Sequence, residues 1–296
     1  MQSIAIVFDR GIIMRSKTSL FSVLSLILLS GMLQAQPELS RVSPRNDLSL
    51  MARAPFQVFD NLYFIGQGEV GSYVIETDDG LILIDTLWDL PGYTEYLLDN
   101  MITLGLKPKD IKYVLILQGH RDHYMGSIAL RDILNAKWGA NSADWELIQG
   151  DLGEYAPPRD FDIEEGDSLT LGNLTIDFEI TPGHTPGTTS MRFPVYDNGI
   201  KYNAYFHGGT ALRLDDPAIV REFIRDCERI KNIPDLNVQI ANHYDIHPQG
   251  APDLFERAQL LANRQPGELH PWVAPDEIDR LMDELIAVAE EVLANQ

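Results

Sequence analysis

The sequence contains one cysteine, Cys227, among its 296 residues. An internal disulfide is therefore excluded, although such bonds are common in exported proteins. Residues 220–233 around this cysteine have the apolar spacing of a helix. We therefore interpret Cys227 as a half-buried apolar residue and not as a nucleophile.

Positive charge is scarce in this chain. It has 23 Lys and Arg against 44 Asp and Glu, which is a formal net charge of −21. Such a charge repels nucleic-acid phosphates and anionic membrane surfaces. The charge therefore argues against a nucleic-acid partner or a stable membrane association of the mature chain, and we expect a small-molecule substrate on the grounds given below. The charge does not select the substrate, because a metal ion can dominate the local field, and it leaves the oligomeric state open.

The N-terminal region lacks an apolar run long enough for a comfortable membrane span. Residues 20–33 are mostly apolar but interrupted by serine, whereas a spanning helix needs about 20 apolar residues. Arg15 and Lys17 precede this run and Ala35 follows it, which is the pattern of a secretory signal peptide. We expect a signal peptide at residues 1–35, with Met14 fitting as the true start, and a periplasmic or secreted product. A retained membrane anchor is the alternative.

After an N-terminal arm at residues 36–54, the pattern predicts one domain at residues 55–296. Strands are predicted at residues 62–65, 72–75, 81–84, 113–117, 190–195, 202–206 and 238–241, with two more between 168 and 180. Helices are predicted at residues 93–104, 126–134, 217–231, 251–263 and 276–293, the last with an apolar stripe of Ile278, Leu281, Met282, Leu285 and Val288. Strands followed by helices, twice over, predict an α/β fold in which two sheets pack together with helices outside.

Histidines follow three of the predicted strands directly. The strand at 113–117 runs into Gln118-Gly119-His120-Arg121-Asp122-His123. The strand ending at 180 leads to His184 between two Pro-Gly turns, and the strand ending at 241 leads to His243. Alternate residues of an extended loop point to the same side, so Gln118 and His120 can face one metal while Asp122 and His123 face a second. Imidazole and carboxylate suit zinc, and iron or manganese remains open.

The other histidines and the serines do not fit a site of this kind. We expect His207, before Gly208-Gly209, to be a core residue or to lie beside the metal ligands, and His247 and His270 to be structural. Ser127 and Ser190 lack the sharp strand-to-helix context of a nucleophile. Helix capping and sheet packing are the roles predicted for those two serines.

These motifs resemble the metallo-β-lactamase superfamily, whose signature is His-x-His-x-Asp-His. The resemblance implies a four-layer αββα sandwich of two mixed β-sheets, and it identifies Asp85 as a structural aspartate. It is strongest to the third subclass of class B β-lactamases. There, one zinc would be held by Gln118, His120 and His184, and the other by Asp122, His123 and His243. Glutamine at the first position occurs in some members, and its amide oxygen is a weaker ligand than imidazole.

A second departure from the family pattern narrows the function. Gly208-Gly209-Thr210 stands where related enzymes carry Cys, Ser or a bridging Asp. This argues against glyoxalase-II-like enzymes, many lactonases and nucleases, and the first β-lactamase subclass. The absence of Glu between His120 and Asp122 argues against the di-iron oxidoreductases.

The resemblance implies a zinc-dependent hydrolase that opens a β-lactam ring by attack of a metal-bound hydroxide, oriented by Asp122. Thr210 and Arg121 are candidates for contacting the substrate carboxylate, although Arg121 could instead pair with an acidic residue. Trp88 would form a wall of the site or a core contact. Two alternatives remain: a zinc hydrolase of a lactone or small ester, and a non-catalytic family member that has lost its first metal.

Overall fold

The computed structural model describes residues 44–296. The expected signal peptide and the first part of the expected arm, residues 36–43, lie outside the described residues. Within residues 44–296, no helix combines the length and the apolar character that a membrane crossing requires.

The first sheet has seven strands in sequence order. They are β1 (Phe56–Phe59), β2 (Leu62–Phe64), β3 (Tyr73–Thr77), β4 (Gly80–Ile84), β5 (Ile111–Leu115), β6 (Lys137–Ala140) and β7 (Phe161–Asp162). The first four pair antiparallel, and the last four pair parallel. The parallel part brings the carboxyl ends of β4 and β5 to one edge, where Asp85 and the loop after β5 begin.

The second sheet has five strands, ordered β12-β11-β10-β9-β8. They are β8 (Ser168–Leu171), β9 (Leu174–Ile180), β10 (Thr189–Asp197), β11 (Ile200–His207) and β12 (Leu236–Ala241). β11 and β12 are parallel and the other neighbours antiparallel. The two sheets meet at the edge that carries the histidines, where Thr189 N–H donates to the Leu117 carbonyl at 2.8 Å.

Eight α-helices complete the described part of the chain. They are α1 (Leu48–Met51), α2 (Tyr93–Thr103), α3 (Arg121–Tyr124), α4 (Ser127–Ile133), α5 (Ser142–Leu152), α6 (Pro217–Lys231), α7 (Leu254–Ala262) and α8 (Glu277–Ala294). Single 3₁₀ turns lie at Pro44–Asn46, Pro108–Asp110 and Gly153–Tyr155.

The apolar side chains form three clusters that define four layers. Alternation along β3 sends Tyr73 and Ile75 into a core between the sheets and Val74 to the outer face, as the period of a strand requires. That outer face packs against α2, α4 and α5. The second sheet packs through Tyr205 against α6 and α8. This confirms the predicted sandwich of two mixed sheets between helices.

Several details differ from the sequence-based expectations. Val288 is not part of the buried stripe of α8, since the residue is 53% exposed to solvent. Ala289 is buried in its place. Cys227 is fully buried rather than half-buried. No pattern predicted β6, β7 or α5. β6 and β7 are only four and two residues long, too short to show alternation. In α5 the exposed Leu147 and the buried Asp144 obscure the apolar stripe of Trp145, Ile148 and Leu152.

Candidate metal centre

Asp85 organises the loop that follows β5. Its Oδ1 accepts the Leu117 backbone N–H at 2.9 Å, and its Oδ2 accepts the His123 Nδ1 proton at 2.7 Å. The carboxylate is fully buried and its backbone has a left-handed φ of 55°. Non-glycine residues adopt this conformation at a cost, which tertiary contacts such as these two hydrogen bonds offset. Asp85 thus has the structural role expected of it.

Three side chains converge on one point beside this loop. His120 has extended backbone, and its Nδ1 lies 2.8 Å from Gln118 Oε1 and 3.1 Å from His184 Nε2. The opposite nitrogen of the His184 ring, Nδ1, donates to the Ala211 carbonyl at 2.6 Å. These residues form the first set, composed of Gln118, His120 and His184.

A second set lies at the start of α3. His123 Nε2 is 3.2 Å from His243 Nε2, and Asp122 Oδ2 is 3.6 Å from the former and 3.8 Å from the latter. His243 Nδ1 donates to the Glu69 carbonyl at 2.9 Å. The ligand atoms of Asp122, His123 and His243 therefore lie close enough to hold one metal ion.

The donor chemistry of both sets fits a metal. Since the Nδ1 protons of His123, His184 and His243 are given to acceptors, their Nε2 atoms present lone pairs to the centre. Two such lone pairs 3.2 Å apart, at His123 and His243, repel each other unless a metal ion or a proton lies between them. Tetrahedral zinc with Zn–N near 2.05 Å would separate its ligands by about 3.3 Å, close to the distances here.

The electrostatics also favour neutral imidazoles in most of the site. Burial lowers the pKa of His184 to about 4 and lowers the pKa values of His120 and His243. His123 is the exception: burial lowers its pKa, but Asp122 and Asp85 outweigh that effect and raise it. Burial disfavours ionisation of Asp122 as well, yet the neighbouring histidines lower its pKa. The site thus combines the Asp122 carboxylate with the imidazoles of His120, His184 and His243, which burial keeps neutral, and this is a suitable donor set for a cation.

The remaining histidines are not members of either set. His207 is buried at the end of β11, where burial lowers its pKa to about 3 and Gly209 N–H donates to its Nδ1. His270 stacks on Phe59 with ring centroids 4.0 Å apart. His247 contacts the Pro248 carbonyl through Nδ1. These contacts agree with core and structural roles.

The candidate substrate contacts have different surroundings. Arg121 makes a two-pronged ion pair with Asp151, at 3.0 and 2.5 Å, so the structure favours the pairing alternative over a substrate contact. Thr210 is buried beside Gly209, whose position faces the His184 ring. Trp88 is partly buried against the cluster under α2, which favours the core contact.

The serines keep structural roles, with one correction. Ser190 Oγ hydrogen-bonds Thr181 Oγ1 at 2.8 Å inside the second sheet. Ser127 is not a helix cap: it is the first residue of α4, Gly126 holds the cap position, and the buried Ser127 hydroxyl has no partner among the described residues.

Two polar groups of the site were missed by sequence reasoning. Asn242 donates from Nδ2 to the Gly208 carbonyl at 2.6 Å, behind His123. Asp144, on α5, accepts hydrogen bonds from the loop that carries His184. The Asn-Ser-Ala-Asp run at 141–144 is a helix-start signal that could have revealed α5, although not what Asp144 contacts.

Comparisons with known proteins agree with this fold. The model of the metallo-β-lactamase superfamily matches residues 65–197. BJP-1, a subclass B3 metallo-β-lactamase of Bradyrhizobium japonicum, is 29% identical with a TM-score of 0.69, over 82% of this chain and 94% of that one. The FEZ-1 metallo-β-lactamase of Legionella gormanii is 22% identical with a TM-score of 0.70, over 82% and 97%, a likeness of fold.

The chain is also similar to a curated lactonase. The N-acyl homoserine lactonase of Bacillus cereus is 27% identical over 158 residues, which is 44% of this chain. The chain spans 60% of the length of that lactonase.

Proposed function

We propose that this chain, which belongs to the metallo-β-lactamase superfamily, is an exported two-zinc hydrolase that opens the β-lactam ring. The observation that carries the proposal is the pair of ligand sets, in which His120 and His184 approach to 3.1 Å and His123 and His243 to 3.2 Å. The 29% identity to a subclass B3 enzyme over most of both chains supports the substrate class.

In this proposal Gln118, His120 and His184 would hold one zinc ion, and Asp122, His123 and His243 the other. Zinc, when bound, supplies a Lewis acid that activates water near neutral pH. Asp122 would orient the attacking water as a hydrogen-bond acceptor. The acceptors of the Nδ1 protons keep His123, His184 and His243 in the tautomer that presents Nε2, which is how neighbouring groups tune histidine ligands. His120 instead faces the first set through Nδ1.

Thr210 is the candidate for binding the substrate carboxylate. It follows Gly209, which packs over the His184 ring, and precedes Ala211, whose carbonyl holds that ring. The Thr210 hydroxyl would donate a hydrogen bond to the carboxylate of a substrate bound next to His184. Ser127 and Ser190 are engaged in packing and have no part in the proposed reaction.

Lactone hydrolysis is the second candidate, and the lactonase relative favours it. Gly208 and Gly209 argue against it, because neither supplies the carboxylate that many lactonases of this family place between their metals. A family member without catalysis is the third alternative, which a measurement of bound zinc addresses.

The test is a substrate panel on the purified mature chain. A chromogenic cephalosporin, an N-acyl homoserine lactone and a simple ester are compared before chelation, after chelation and after zinc is returned. We expect cephalosporin hydrolysis that chelation abolishes and zinc restores. No cephalosporin hydrolysis at any zinc concentration would refute the β-lactamase assignment, and lactone hydrolysis alone would replace it. Hydrolysis that chelation leaves unchanged would refute the metal mechanism.

Export is part of the proposal and rests on the signal-peptide pattern of residues 1–35. Expression with the natural leader in a bacterial host, followed by fractionation and mass measurement, tests it. We expect a periplasmic or secreted product that begins near residue 36. A membrane-bound product that retains the leader would support the anchor alternative instead.

A further inference from the structure

Asp144 is a buried carboxylate beside the candidate centre. It lies in the first turn of α5 and is 1% exposed. Within residues 44–296 it forms no ion pair with Lys or Arg. An ionised side chain in such a place is costly unless hydrogen bonds compensate it, so its contacts indicate what it is retained for.

Those contacts join the two loops that form the first set. Asp144 Oδ2 accepts the Thr185 hydroxyl proton at 2.7 Å, and Oδ1 accepts the Gly187 backbone N–H at 2.9 Å. The Gly119 backbone packs against the same carboxylate, since a Cβ on Gly119 would lie 3.1 Å from Asp144 Oδ1. Thr185 follows His184 directly, and Gly119 lies between Gln118 and His120. One side chain therefore hydrogen-bonds the His184 loop and packs against the His120 loop.

The two glycines show how closely these loops approach α5. A Cβ on Gly119 would lie 3.1 Å from Asp144 Cγ, and a Cβ on Gly187 would lie 2.9 Å from it. At Gly187, Asn141 Oδ1 would be only 2.5 Å away. Larger residues would push either loop away from the carboxylate. The close packing therefore depends on Gly119, on Gly187 and on Asp144 with Asn141 at the start of α5.

We propose that Asp144 is a positioning residue that fixes His120 and His184 at ligand spacing, so that the first set is preformed before metal binds. The inference rests on the metal sites of the proposed function. The second set has different supports, Asp85 for His123 and the Glu69 carbonyl for His243. Loss of the Asp144 carboxylate should therefore weaken one zinc ion selectively.

The experiment measures stepwise zinc affinity by competition with a chromophoric chelator, on the full mature chain. D144A should weaken one binding step about 10- to 100-fold, the range for losing a group that orients metal ligands, and leave the other within about threefold. D144N and T185V keep part of the hydrogen bonding and should lose less. D197N is the matched control: Asp197 is also buried but pairs with Arg264, so its zinc affinities should not change.

Unfolding of each metal-free variant separates positioning from general support. Equal weakening of both steps, in proportion to the lost stability of the metal-free chain, would overturn the proposal. Unchanged zinc affinity at both steps in D144A would also overturn it. If D144A does not fold, unchanged affinity at both steps in D144N and in T185V would do so. Tight zinc binding without β-lactam hydrolysis in the unmodified chain would refute the proposed function alone. Absence of zinc binding in the unmodified chain would refute both.

Discussion

The side-chain amide of Gln118 donates from Nε2 to the backbone carbonyl of Gly208 at 3.1 Å. This bond turns the amide oxygen towards His120 Nδ1, 2.8 Å away. Asn242 Nδ2 donates to the same carbonyl. The Gly208 carbonyl therefore accepts hydrogen bonds from Gln118 of the first set and from Asn242, which precedes His243 of the second set. The oxygen is the atom of the neutral amide that can bind a metal. The hydrogen bond from Nε2 thus holds this oxygen facing His120.

We predict that Q118A weakens one zinc step at least about 10-fold, because a ligand is lost and not only its support. The other step should be unchanged. Stepwise titration of the folded variant measures both. Unchanged affinity for both ions would show that Gln118 is not a ligand. N263A, which alters an exposed amide at the end of α7, is the matched control.

Gly208 should accept no side chain. A Cβ there would lie 2.0 Å from the Thr189 carbonyl oxygen, a backbone atom of the neighbouring strand. We expect G208A to lower the free energy of unfolding by about 3 kcal/mol, the upper range for overpacking. G150A, in α5, is the control, since a Cβ on Gly150 would have no atom within 4 Å. Alanine there should raise the free energy of unfolding by about 1 kcal/mol. Similar effects of the two in urea unfolding would contradict this reading.

R121A distinguishes the two roles considered for this arginine. Because the guanidinium is partly exposed and already paired with Asp151, its removal should cost about 1 kcal/mol of stability or less. The KM for a β-lactam should stay within about threefold. R159A, which breaks ion pairs with Asp162 and Glu146, is the control. A KM that rises in R121A alone would restore Arg121 as a substrate contact.

The stability of the fold should depend on pH through Asp226. Burial raises the pKa of this carboxyl to about 6, and its Oδ2 has no hydrogen-bond partner among the described residues. A raised pKa means that the folded state binds the proton more tightly than the unfolded chain. The contribution of Asp226 is therefore unfavourable above pH 6 and fades as the pH falls towards 4.

D226N removes that cost. We expect it to raise the free energy of unfolding by about 1–3 kcal/mol at pH 8, and by much less at pH 4. D132N, at a position with a largely exposed side chain, should show no such dependence. A D226N advantage that is equal at both pH values would contradict the assigned cause.

The sequence alone determined the order of most elements and the chemistry at the strand ends, although β6, β7 and α5 were not predicted. Long segments with strong periodicity, such as α6, were predicted with their observed bounds of 217 and 231. The polar run after β5, and His184 and His243 after β9 and β12, were visible because each ligand follows a strand directly. Parallel and neighbouring strands deliver their ends to a common edge, so local pattern was sufficient to predict a metal site there.

The tertiary structure decided which groups surround those ligands. Asp144 and Thr185 are 41 residues apart, Gln118 and Gly208 are 90 apart, and His123 and His243 are 120 apart. Periodicity describes the face on which a residue lies, but a hydrogen bond requires the register and packing of distant segments to within a fraction of an ångström. The orientation of the Gln118 amide, the partner of Arg121 and the position of Asp144 all depend on that packing.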